Sequence, residues 1–250
     1  MFRSFIYLDS KKMYSYFRQI DSLYVNNVKK TISKKKTRTG SLEIGPVGLN
    51  SGVETKEQME FTEDIANDYN VFEKKLEALQ GEEYFDFVLN DYDIKTVPNM
   101  SIIRLNGSIE IPEQFDIFNM AQNFMPLIMN QIETDSNDEK ELMEAFFGKA
   151  SADIPIVMDD EEISVAGKLN ISYLEEEYAE LEEYIEQEVY ILCKVIGKIN
   201  REKVEIFNPL KDFIKLPRAI RRSMDSDSEG LESIEIEGPV LKVEIIAIYK

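Results

Sequence analysis

The sequence predicts an α+β fold: a largely antiparallel sheet, several packed helices and one long basic, glycine-rich loop. Three observations predict it. A short apolar motif recurs, with Val165-Ala-Gly-Lys-Leu-Asn170 and Val195-Ile-Gly-Lys-Ile-Asn200 as near copies and Leu105-Asn-Gly-Ser-Ile-Glu-Ile111 as a looser one. A Gly inside an alternating apolar run marks a bulge, a bend or a close backbone approach, so these copies read as related strands. Between such runs, apolar residues recur at helical spacing. Finally, Val243-Glu-Ile-Ile-Ala-Ile-Tyr249 is too apolar to lie exposed, and reads as a central strand docked between neighbours.

The elements follow in order. Phe2 to Leu8 is β-prone, and Asp9-Ser10 supplies cap chemistry for a helix from Lys11 to Leu23, with Met13, Tyr16, Phe17, Ile20 and Leu23 on one face. Lys29 to Gln58 lacks any period and carries Gly40, Gly45, Pro46, Gly48 and Gly52, so it reads as a mobile insertion. Thr62 and Glu63-Asp64 open a helix through Ile65, Tyr69, Phe72, Leu76 and Leu79, which Gly81 ends. Tyr84 to Leu89 fits no single template. Met100 to Ile111 reads as a bent strand or a hairpin around Gly107. Pro112-Glu113 begins a helix to about Ile132, interrupted at Pro126, and a second helix spans Glu139 to Phe147.

Beyond residue 150 the pattern is strand-rich. Ile154 to Met158, Ile163 to Asn170, Val189 to Asn200 and Val204 to Asn208 are strand candidates. Tyr173, Leu174, Tyr178, Leu181 and Ile185 sit at helical spacing, and Leu210 to Met224 forms another helix, broken at Pro217. Ile234 to Ile236 and Val240 to Tyr249 are strands joined by a Gly238-Pro239 turn. If the first and last strands pair, residues 1–250 form a single domain with 29–58 inserted. The alternative is a division into a helical half, 1–150, and a strand-rich half, 151–250.

Composition limits the chemistry. The chain has no His and a single Cys, which removes Ser–His and Cys–His nucleophile pairs, imidazole ligands, internal disulfides and cysteine zinc sites. Cys193 lies in an apolar run and reads as a buried structural thiol. No apolar stretch approaches the roughly 18–20 residues of a membrane span, and a reducing cytoplasm is the expected setting. The net charge of −19 is uneven: residues 1–60 hold eleven Lys/Arg against six Asp/Glu, the other 190 hold eighteen against forty-two. The acidic body repels nucleic acid and anionic lipid, and the N-terminal arm attracts them.

Phe5-Ile-Tyr-Leu-Asp9, Ser15-Tyr16 and Gln19-Ile20, taken with Glu237-Gly-Pro-Val240 and Ile246-Ala-Ile-Tyr249, resemble a family of uncharacterised bacterial proteins, a domain of unknown function. That resemblance spans both ends of the chain and implies no activity and no functional residue. It suggests a setting in bacterial defence or mobile-element biology.

Candidate sites are few. Lys29, Lys30, Lys34, Lys35, Lys36 and Arg38 could contact phosphates, though no aromatic residue is interleaved for base stacking. Asp159, Asp160, Glu161 and Glu162 form the densest acid run between strands, and a hard cation needs several converging carboxylates. Consecutive loop residues diverge, so a solvated turn is the plainer reading. Glu175, Glu176, Glu180, Glu183 and Glu186 would line the polar face of an amphipathic helix. Arg218, Arg221 and Arg222, with Lys215 a turn earlier, are expected to pair with Asp225, Asp227 and Glu229. Gly197-Lys198 and Gly167-Lys168 lack the earlier Gly and following Ser/Thr of a phosphate loop.

These readings lead to a non-enzymatic protein that needs no cofactor and binds another protein. The alternatives are a metal-dependent hydrolase or phosphoryl-transfer enzyme built on Asp159 to Glu162, and sequence-independent nucleic-acid binding through the basic loop.

Overall fold

Strand β9 (Val240–Tyr249) organises the sheet, and its sequence shows why: eight of its ten residues are apolar and only Lys242 and Glu244 interrupt the run. A strand flanked on both edges has no use for a polar edge. The structure is a computed structural model. It describes residues 3–22, 65–117, 153–159, 163–175, 178–185, 187–208 and 233–250. They divide into two compact units, Met1–Asp9 with Gln80–Lys250, and Ser10–Leu79.

In the first unit, a seven-stranded sheet runs in the order β2 (Tyr84–Asp86), β3 (Ile102–Ser108), β6 (Glu188–Ile199), β9, β5 (Ser164–Leu169), β4 (Ile154–Met158), with β1 (Phe5–Leu8) also on β9. One edge of β9 is shared. Its first residues pair in parallel with β5, Ser164 with Val240, and its last pair antiparallel with β1, Phe5 with Tyr249. Its other edge pairs along its length with β6. The expected pairing of the first and last strands is present. The sheet is mixed, however, where the sequence predicts a largely antiparallel one: β2–β3 and β5–β9 are parallel. A two-stranded ribbon, β7 (Lys203–Phe207) with β8 (Ile234–Glu237), is separate from it.

The sheet curls until the segment after β3 meets β4. Beyond β3, Glu110 and Val157 of β4 exchange both backbone hydrogen bonds, at 2.8 and 2.9 Å. The concave side holds one apolar cluster that includes Ile103, Leu105, Ile156, Val165, Ile191, Val195, Val243 and Ile245. All three copies of the repeated motif are strands, and the curl gives their glycines different duties. Gly167 faces inward, where a Cβ would lie 2.9 Å from Ile245; Gly197 sits at a bulge with open space beside it. On the outer strand β2, Asp86 receives Arg104 Nε at 3.1 Å and Nη2 at 2.8 Å, and also the amides of Val88 and Leu89.

In the second unit, α1 (Ser10–Ile20) and α2 (Ile65–Glu77) match the predicted helices. Phe17 and Phe72 pack with tilted rings whose centroids lie 5.5 Å apart, Tyr14 donates to Asp68, and Lys75 pairs with Asp21 at 3.0 Å. The buried face of α1 carries Tyr14 rather than the expected Tyr16, which is half-buried.

Helices are fewer among the described residues than the several expected. The segment carrying Tyr173 to Ile185 is not one amphipathic helix. It comprises a 3₁₀ turn at Ile171–Tyr173, a single helical turn α3 (Tyr178–Leu181) and a second 3₁₀ turn at Glu182–Tyr184. Its backbone is engaged elsewhere: Leu174 bridges Tyr7, the Glu175 amide donates to Ile6, and Ile185 bridges Ile109. Residues 113–117 are helical as predicted. The rest of that helix, those over 139–147 and 210–224, and the basic glycine-rich segment 29–58 lie outside the described residues.

Candidate functional site: a carboxylate-walled groove

Where the curled sheet closes, it leaves a groove of about 530 Å³ lined by Glu110, Pro112, Gln114, Val157, Asp159, Ser164 and residues 234–237. Each wall is set by a different element. Glu110 is fixed by its double exchange with Val157. Asp159 follows the end of β4, and Ser164 opens β5 with its amide donating to the Pro239 carbonyl at 3.2 Å. The ribbon contributes the alternation Ile234-Glu-Ile-Glu237, whose isoleucines turn toward the apolar clusters while Glu235 and Glu237 stay exposed. Pro112, Val157, Ile234 and Ile236 are its apolar lining, with Val157 and Ile234 buried, and Glu110, Asp159, Glu235 and Glu237 are its acidic lining.

The ribbon reinforces this sign. Glu235 stands directly opposite Glu205 in the ladder, an arrangement of like charges that costs stability unless solvent or a cation relieves it. Asn208 Nδ2 donates to Glu205 at 2.9 Å. Among the described residues, none of the four lining carboxylates has a salt-bridge partner. The groove is thus of mixed character, with four carboxylates set among a few apolar residues.

Among the described residues singled out as site candidates by sequence, only Asp159 lines this groove, where it is exposed. Asp160, Glu161 and Glu162 lie outside the described residues, as do the basic residues Lys29, Lys30, Lys34, Lys35, Lys36 and Arg38, and Lys215, Arg218, Arg221 and Arg222. Glu175 and Glu183 are exposed but share no continuous helix. Cys193 is wholly buried in the concave cluster, and burial pushes its thiol well above the usual range. Among the described residues no three His, Cys, Asp or Glu side chains are grouped so as to hold a metal ion, and no helix is long and apolar enough to cross a membrane. Glu110, Glu235 and Glu237 are not among the site candidates that the sequence offers. The Ile-Glu-Ile-Glu alternation was the only available signal, and it says nothing of what the glutamates face.

Sheet and groove together define a mixed-sheet α+β protein with a carboxylate-lined groove. The chain matches, over residues 2–249, the family described as "Domain of unknown function (DUF6414)", and it belongs to that family. Comparison with curated proteins and with solved structures returned no match.

Proposed function

We propose that this protein acts by binding another protein, and that the groove receives a segment of that partner in which an apolar side chain is flanked by Lys or Arg. The observation that carries this reading is the construction of the groove: four carboxylates from three segments of the chain, Glu110, Asp159 and the β8 pair Glu235 and Glu237, set among the apolar residues Pro112, Val157, Ile234 and Ile236. Burial of the apolar group supplies affinity, and the carboxylates select for a basic flank and speed encounter. We place the protein in the cytoplasm, where a chain with one buried thiol depends on no disulfide.

A fluorescent peptide of alternating Lys and Leu is the direct probe. It is expected to bind the full chain, to weaken as salt rises, and to lose binding when Glu235→Lys and Glu237→Lys are introduced together. Equal binding to wild type and to the charge-reversed variant would refute the groove as the site.

A further inference from the structure

We infer that a knob formed by Met100 and Ile196 docks into the groove of a second copy of this chain, an inference that rests on the groove being a protein-binding site. Met100 occupies the third position of the turn 98–101, closed by the Ser101 amide donating to Pro98. Its φ is 75°, in the left-handed region. Its amide donates to the Val195 carbonyl at 2.8 Å, and the Val195 amide donates to Ser101 at 2.8 Å. Two residues of one strand thus face one of the other, in a bulge whose first position is normally glycine. Methionine there carries the steric penalty of a left-handed L-residue. Its side chain is 62% exposed, so burial within this chain does little to offset that penalty.

Ile196 repeats the pattern on the adjoining strand. It is the extra residue between Val195 and Gly197 in the pairing of β6 with β9, and it is 46% exposed. Two bulges therefore meet at Val195, and each carries a large apolar residue that is left exposed. Contact with something outside the chain is what would recover both costs, and methionine is enriched where proteins bury surface against one another.

The charge around the knob indicates what it meets. Lys194 lies two residues before Ile196, and Lys242 stands opposite Gly197. The Lys198 ammonium donates to the carbonyl of Lys95 in the loop before the turn. Glu244 stands opposite Lys194, and Asp93 accepts from the Lys95 amide in the loop. In a chain with 48 acidic and 29 basic residues this is a local reversal of sign. An apolar knob with lysines beside it matches a groove that sets four carboxylates among apolar residues. The two surfaces differ, so the contact is head-to-tail, and each copy joined by its knob still offers its groove.

Sedimentation velocity on the full chain, taken to about 0.2 mM so that micromolar contacts register, is the test. The wild type is expected to grow in size with concentration. Met100→Asp with Ile196→Asp (knob-less), and Glu235→Lys with Glu237→Lys (groove-less), should each stay monomeric. Mixed in equal amounts, the two variants should form a species that stops at two chains, since one intact knob and one intact groove remain. Met100→Gly, which suits the backbone, should melt higher than wild type yet associate at least about tenfold more weakly. A wild type monomeric throughout, or a knob-less variant that assembles normally, overturns the inference. If the wild type is monomeric but the Lys–Leu peptide still binds and is lost in the groove-less variant, only self-docking fails. If the peptide does not bind either, the groove reading fails too.

Discussion

Tyr7 is fully buried on β1, with its hydroxyl accepting from the Asn170 amide at 3.4 Å. Burial, and next the charge of Asp9, push its phenol far above the ordinary value of 10.0. Below that value the phenol is protonated in both folded and unfolded chains, and its contribution to stability is fully present. As pH rises past 10.0 the unfolded chain sheds the proton and the folded chain keeps it, so stability should fall by about 1.4 kcal/mol per pH unit. Urea titrations between about pH 9 and 11 should show this slope, and Tyr7→Phe should flatten it. A slope unchanged in Tyr7→Phe would assign the effect to other groups, Tyr173 first, since its phenol is raised by the same two causes. Packing makes a second prediction at this scale. Gly167→Ala puts a methyl 2.9 Å from two side-chain carbons of Ile245, itself 1% exposed, and should cost about 1–3 kcal/mol. Gly197→Ala meets open space and should change the urea midpoint little, a contrast between two glycines that the sequence presents as equivalent.

Strand β2 shows how an element of three residues is kept in place. Asp86 is buried at 4% side-chain exposure against 13% for Arg104, and it also holds the turn amides of Val88 and Leu89. Removing one member of a buried pair leaves the other uncompensated, so Asp86→Ala should cost about 3–5 kcal/mol in urea unfolding. Replacing both partners with apolar residues should restore part of that loss. How far each element could be read from sequence follows from where its backbone bonds go. Helices α1 and α2 satisfy their own hydrogen bonds, so the spacing of Met13 and Phe17, or of Tyr69, Phe72 and Leu76, was sufficient. Tyr173 to Ile185 has comparable spacing, but Leu174, Glu175 and Ile185 bond to distant strands, and no local pattern records that. The groove was hidden for the same reason. Asp159 was visible as part of an acid run, whereas Glu110, Glu235 and Glu237 become its neighbours only when the sheet curls shut.

For the molecule as a whole, strands from both ends of the chain share one sheet: β1 and β3 take their partners from β9 and β6. A fragment of residues 1–150 retains β1, β2 and β3 but neither β6 nor β9. It should therefore lack the cooperative strand signal of the full chain in far-UV circular dichroism. A folded fragment with that signal would favour two autonomous halves over the single domain we propose.

The same arrangement has a consequence in time. The centre of the sheet is the last of its strands to be synthesised. While a ribosome extends the chain, β6 waits with one edge open, and β1 waits for a partner almost the whole chain length away. Pairings so remote form slowly and leave apolar edges uncovered meanwhile. The nascent protein should thus be a client of holding chaperones until Tyr249 has cleared the exit tunnel. A premature stop anywhere upstream of Val240 should yield material marked for proteolysis rather than a smaller working protein.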